Sequence, residues 1–177
     1  MLLDRDGTIN RQVDGGYVTA WRNFEFLPGA VQAMSDLTRR GFQLVVVTNQ
    51  AAVGKGLLTL PELDAIHARM TALIERADGR VARVYVCPHV PGDGCACRKP
   101  RPGLLHRAAT ELGVDLASTY MVGDSPTDVE AGLRAGCRTI LLEREPGPSS
   151  SERAWQPHHV VRDLAAAARL ITSMARV

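Results

Sequence analysis

The chain has 177 residues, 45% of them apolar and 23% charged, enough for one domain (1–177) with a substantial core. Its 21 Lys and Arg stand against 19 Asp and Glu, too even a balance to favour a nucleic-acid partner or an anionic membrane. No apolar run reaches the roughly 18 residues of a membrane span and no secretory leader opens the chain, so a cytoplasmic protein with reduced thiols is expected.

Apolar runs and amphipathic segments alternate along the chain. "MLLD" is a brief strand. "LPGAVQAMSDLTRRG" puts Val31, Met34 and Leu37 at helical spacing, with Pro28 at the start and Gly41 at the stop. "FQLVVVTNQ" is unbroken apolar sequence, as a parallel strand covered on both faces requires. "TLPELDAIHARMTALIERADG" opens on a Thr59/Glu62 capping box and carries Leu63, Ile66, Met70 and Leu73 on one helical face. "VARVYV" is a strand that runs into a cysteine loop. Then follow the helix "PGLLHRAATELG", the strand "TYMVGD", the helix "SPTDVEAGLRAG" and the strand "RTILL", at whose start Cys137 reads as a small buried residue. "EREPGPSSSER" reads as a surface loop, His158 and His159 as a surface turn, and "VVRDLAAAARLITSM" as a last short strand and a closing helix.

Alternating β and α units predict a mostly parallel sheet with helices on both faces. In such folds the site lies beyond the carboxyl ends of the strands. Polar residues do collect where the apolar runs stop: "LLD-RDG", "VVVT-NQ", "YVC-PH" and "MVGD-SPTD". "DRDGT" sets two carboxylates two positions apart after a strand, with glycine for a tight turn. One carboxylate can attack phosphorus while the other carries a proton. The further acids of "GDSPTD" add hard oxygen ligands of the kind Mg²⁺ takes together with phosphate oxygens.

In the loop after the third strand, Cys87 and His89, then Cys95 and Cys97, form a Cys₃His set suited to Zn²⁺. The spacing is not that of a finger, and neither pair is the CxxC of a redox motif. All four positions are filled by protein ligands, so the metal is read as structural. It orders a loop (87–97) too poor in apolar residues to order itself, and holds Arg98 and Lys99 at the site.

The ordered set "DRDGT", "VVVTNQ", "RKP" and "GDSPTD" resembles the four motifs of the haloacid dehalogenase superfamily of phosphotransferases. That resemblance implies a three-layer Rossmann-like fold. It makes Asp4 the nucleophile that becomes an aspartyl-phosphate, and Asp6 the acid that protonates the leaving alcohol and then activates water. Thr48 and Lys99 hold the phosphoryl oxygens, and Asp4, Asp124 and the backbone oxygen of Asp6 bind Mg²⁺. Asp128 orients Lys99 or the metal shell.

"DRDGTIN", "DGGY", "FEFLPGA", "VVVTNQ" and "CPH…CxCRKPRPG" together resemble the D-glycero-D-manno-heptose 1,7-bisphosphate 7-phosphatases, small and without a large cap, from about residue 2 to about 165. This implies a Mg²⁺-dependent hydrolase, with Zn²⁺ in its loop, that removes the C7 phosphate in nucleotide-activated heptose biosynthesis. Asp14, Gly15, Gly16 and Tyr17, then Thr48, Asn49, Gln50 and Ala51, then Arg98 and Lys99 would contact substrate, with Lys55 lining the entrance. Substrate selection would fall to loops 11–20, 50–58 and 87–102. The chain departs from the pattern in three places. Few residues precede Asp4, the segment between "GTIN" and "GGY" is one or two residues longer, and only five residues separate His89 from Cys95.

Two other readings share these motifs: a histidinol-phosphate phosphatase, and a catalytically silent zinc-binding interaction module. The intact Asp4, Asp6, Thr48, Lys99 and Asp124 weigh against the second. Trp21 and Trp155 read as packing residues. No self-complementary surface stripe is legible, so a monomer is expected.

Overall fold

The computed structural model describes residues 1–144 and 155–175. Among them, six parallel strands form one sheet in the order β3-β2-β1-β4-β5-β6, with β1 at Leu2–Leu3, β2 at Leu44–Asn49, β3 at Val81–Cys87, β4 at Tyr120–Gly123, β5 at Arg138–Leu142 and β6 at His159–Val161. Six helices flank it: α1 (Ala30–Arg39), α2 (Ala51–Gly54), α3 (Leu60–Glu75), α4 (Gly103–Leu112), α5 (Pro126–Arg134) and α6 (Leu164–Met174). The chain builds outward from β1 to one edge, then returns to place β4 on its other side. The reversal between β1 and β4 is the point where such sheets open a crevice.

The sheet divides the core in two. Leu3, Leu44, Val46, Val122 and Ile140 pack with residues of α1, α3 and α6. Their strand neighbours Leu2, Val45, Val47 and Met121 pack with α4 and Ala131 of α5. Side chains alternate between faces along a strand, so β2 must be apolar at every position from Leu44 to Val47. With only two residues, β1 is as short as the few residues before Asp4 allow, yet it is fully buried and paired on both sides.

The Thr59/Glu62 box is present, with Thr59 N donating to Glu62 Oε2 at 2.8 Å. The buried stripe of α3 differs from expectation at its end: Ile74, not Leu73, enters the core, and His67 joins it. From Met70, Ile74 is the i+4 position, and only that step keeps to the stripe set by Leu63, Ile66 and Met70.

His158 is not a free surface residue. Its Nδ1 lies 3.1 Å from Thr139 N and 3.0 Å from Thr139 Oγ1, tying the approach to β6 onto β5. Most of "EREPGPSSSER", residues 145–153, lies outside the described residues. Among the described residues no helix is long and apolar enough to cross a membrane.

Candidate active site

The loops beyond β1, β2, β3 and β4 meet at the switch point. After β1 the chain turns back on itself, Arg5 O accepting from Ile9 N at 2.8 Å and Gly7 N donating to Asn10 O at 2.7 Å. Gly7 has φ +79°, and a Cβ there would lie 1.8 Å from Asp124 Oδ2. Glycine is therefore what lets the acid at the end of β4 reach the turn that carries Asp6. Gly123 serves Asp128 in the same way, because its Cβ would fall 2.3 Å from that carboxylate.

Lys99 is buried and its ammonium is fully engaged. Nζ lies 2.7 Å from Asp4 Oδ1, 2.6 Å from Asp128 Oδ1 and 2.8 Å from Val47 O. Asn49 grips the Lys99 peptide on both sides, donating to its oxygen and accepting from its N–H, each at 3.1 Å. The expected Asp128–Lys99 link is therefore direct. Asp128 also caps α5, accepting from Ser125 N at 3.1 Å.

Both oxygens of Asp6 are held. Arg5 Nη2 reaches Oδ1 at 2.9 Å and Oδ2 at 2.8 Å, Asn10 Nδ2 donates to Oδ1 at 2.9 Å, and Gln50 Nε2 donates to Oδ2 at 2.8 Å. Gln50 Nε2 is also 2.8 Å from Thr48 Oγ1, which links the β1 and β2 loops.

Burial, and next the Asp128 carboxylate, push Asp4 up to about 8, with Lys99 pulling the other way. Burial and Asp128 raise Asp124 to about 6. Burial opposes the charge on Lys99, but Asp128 and Asp4 outweigh it and hold the ammonium above its usual range. Asp6 is the contrast: burial would raise it, yet Arg5, Asn10 and Gln50 keep it below the ordinary carboxylate range.

Asp4, Asp6, Asp124 and Asp128 thus surround two buried cations, Arg5 and Lys99, and the excess negative charge falls on Asp4 and Asp124. Carboxylate oxygens of Asp4, Asp124 and Asp128 lie within 4.8 Å of one another. A hard divalent cation beside them would offset that excess, so the donor set fits Mg²⁺.

A cavity of about 410 Å³ opens over these groups. Asp4, Asp6, Thr48, Lys99 and Asp124 line it, as do Gly16, Tyr17, Asn49, Gln50, Ala51 and Arg98. Asp14 and Gly15 do not. The longer segment before "GGY" shifts the contact, so Gln12, Val13 and Val18 line the wall instead. Ser125, Pro126 and Thr127 line it too, which their place directly after Asp124 could have suggested. Lys55 stacks over the Tyr17 ring at 5.1 Å rather than lining the cavity. Trp21 packs on Phe24 and under Arg69, outside it. Sequence reading also passed over Arg5, Asn10 and His67.

Beside the cavity, Cys87 Sγ lies 3.5 Å from His89 Nδ1 and 3.7 Å from Cys95 Sγ, and Cys97 Sγ lies 3.3 Å from His89 Nδ1. All four ligand atoms lie within 4.8 Å of one another. A tetrahedral ion with bonds of about 2.3 Å to sulfur and about 2.0 Å to nitrogen spaces its ligands about 3.5–3.8 Å apart, so the cluster has the dimensions of a metal cage. Its backbone is tied to the basic segment: Arg98 Nη1 donates to His89 O at 3.0 Å and Arg101 Nη1 to Cys95 O at 2.6 Å.

Residues 96–167 match the HAD-hydrolase-like family model. A Pseudomonas putida protein named D-glycero-beta-D-manno-heptose-1,7-bisphosphate 7-phosphatase is 37% identical over 170 residues, 96% of this chain and 97% of its own. The chain belongs to the D-glycero-D-manno-heptose 1,7-bisphosphate 7-phosphatase family. Another heptose bisphosphate phosphatase, from Escherichia coli, is 39% identical over 93% of this chain and 89% of its own. The crystal structure of D,D-heptose 1,7-bisphosphate phosphatase from Bordetella bronchiseptica, complexed with magnesium and phosphate, superimposes with a TM-score of 0.90 at 37% identity, covering 98% of each chain. Together the family relationship and the parallel sheet make this a haloacid dehalogenase-type fold, as expected from the motifs.

Proposed function

We propose that the protein is a Mg²⁺-dependent phosphatase that removes the C7 phosphate of D-glycero-β-D-manno-heptose 1,7-bisphosphate. It would act in the cytoplasm, as a monomer, through an aspartyl-phosphate on Asp4. The observation that carries this reading is the buried Asp4–Lys99–Asp128 set facing a cavity that Asp6, Thr48 and Arg98 also line, in a chain whose relatives bear that activity in their names. The β anomer follows those names.

Asp4 attacks phosphorus, and the P–O bond to C7 breaks as Asp6 passes its proton to the departing alkoxide. Resting Asp6 is a carboxylate, and the approaching phosphate dianion raises its proton affinity for this step. Lys99 and Thr48 hold the phosphoryl oxygens in preorganised positions. Water then attacks the aspartyl-phosphate, Asp6 takes its proton, and Asp4 is released with inorganic phosphate. Asp4, Asp124 and the backbone oxygen of Asp6 would hold Mg²⁺, which lets a carboxylate approach a phosphate dianion without prohibitive repulsion. Arg98, on the cavity wall, would meet the second phosphate, a task that suits its planar fork.

Phosphate release from the two bisphosphate anomers and from histidinol phosphate tests this. We expect kcat/KM for the β bisphosphate to exceed that for histidinol phosphate by about a hundredfold, about 2.7 kcal/mol of transition-state discrimination. Equal or faster turnover of histidinol phosphate overturns the substrate assignment.

Zn²⁺ in the Cys87, His89, Cys95 and Cys97 cage would hold Arg98 and Lys99 in register, which the cage dimensions support. Cys97→Ser should lose the bound zinc and lower Tm by about 5–10 °C. Metal analysis and calorimetry read both. A metal-free wild type, with an unchanged Tm in the variant, removes the zinc from the account.

A further inference from the structure

Arg5 and His67 have no part in the chemistry above, yet both are buried, with exposures of 0% and 5%. Arg5 sits between the two acids of the "DRD" turn and is the one cation on Asp6, bridging both its oxygens through Nη2. Its other terminal nitrogen, Nη1, lies 3.0 Å from His67 Nε2, on α3 and 62 positions away in sequence.

A guanidinium only donates hydrogen bonds, so His67 Nε2 must accept, and the ring must be neutral with its proton on Nδ1. Burial, and then the Arg5 charge, lower His67 to about 3, in keeping with a neutral acceptor. Arg5 Nε is buried without a partner among the described residues, so the described polar anchors of the guanidinium are Asp6 at one end and His67 at the other.

We propose that His67 is a positioning residue for the acid–base carboxylate. By fixing the guanidinium of Arg5 from behind, it sets the plane in which Asp6 offers its proton to the leaving oxygen. This rests on reading Asp6 as the acid. His67 stands in the apolar stripe of α3 with Leu63, Ile66 and Met70, so that helix carries the register of the core into the site.

Two substrates separate positioning from mere structural support. An alkyl phosphate such as the sugar bisphosphate needs its leaving oxygen protonated, whereas p-nitrophenolate leaves without a proton. kcat/KM covers steps only through departure of the alcohol, so the later water attack does not enter. His67→Leu should lower kcat/KM about tenfold or more on the bisphosphate, but less than about threefold on p-nitrophenyl phosphate, with KM nearly constant. His67→Gln, whose amide oxygen can accept from Nη1, should stay within about threefold of wild type on both. Equal losses on the two substrates, no loss, or a folded Gln variant as impaired as Leu each overturn the proposal.

¹⁵N NMR of the wild-type imidazole is independent of activity and of whether the Leu variant folds. An unprotonated Nε2 accepting a hydrogen bond is expected, and a protonated Nε2 overturns the proposal. Wild-type enzyme that cleaves neither phosphate with Mg²⁺ instead sinks the phosphatase reading, and the acid role with it.

Discussion

Asp4→Asn should leave no measurable phosphate release, a loss of about 10⁴-fold or more in kcat, because an amide cannot form the aspartyl-phosphate. The variant should nevertheless fold at least as well as wild type. Burial and Asp128 raise Asp4 to about 8 in the native state, against an ordinary carboxylate near 4 when unfolded. In the metal-free protein the native state thus binds a proton more tightly than the unfolded chain. The stability that goes with this proton is fully present below about pH 4 and is lost as pH rises through about 8. An amide in place of the carboxylate removes that dependence. The Tm of the variant relative to wild type should therefore rise between pH 5 and pH 8 without added metal. A variant that is inactive and also much less stable at pH 8 would place Asp4 among structural residues.

Lys99→Met should cost about 10³-fold in kcat, since the donor aimed at the phosphoryl oxygens is gone. Here stability should fall too. Lys99 is the cation shared by Asp4 and Asp128, and removing one partner of a buried pair costs about 3–5 kcal/mol. Adding Asp128→Asn to the Met variant should recover part of the Tm and none of the rate. That split separates the charge balance of the site from its chemistry. Phosphate assays and calorimetry on the single and double variants decide it, and recovery of activity in the double variant would contradict the role given to Lys99.

The contrast between these variants reflects how the site is built. Its reactive carboxylate is destabilised by burial and by a like charge, and tolerated because one lysine and the surrounding loops hold it. Residues that hold it in place and residues that react are interleaved along the same turns, as Asp4, Arg5 and Asp6 show.

Much of this was legible in the sequence for one physical reason. A parallel strand covered on both faces must be apolar throughout, so the first polar residues after it mark the open end of the sheet. That rule located Asp4, Thr48, the cysteine loop and Asp124. Local chemistry also read true at the Thr59/Glu62 box and at Gly113, which ends α4 with φ +65°.

What sequence reading missed are contacts between side chains far apart in the chain. Nothing near His67 announces that its ring meets Arg5, because a histidine on an apolar stripe has no periodicity of its own. Asn49 and Gln50 read as substrate contacts, yet one clamps the Lys99 peptide and the other bridges Asp6 and Thr48. Asp14 and Gly15 fell outside the cavity because a small change in loop length moves every contact along it.

The central claim is that Asp4 becomes phosphorylated. Acid-quenching Mg²⁺-loaded enzyme during turnover of the β bisphosphate, then reducing with borohydride and sequencing by mass spectrometry, tests it directly, since reduction converts an aspartyl-phosphate to homoserine. Homoserine at position 4 is the predicted result. Steady phosphate release with Asp4 unmodified, or with the label on another carboxylate, would contradict it.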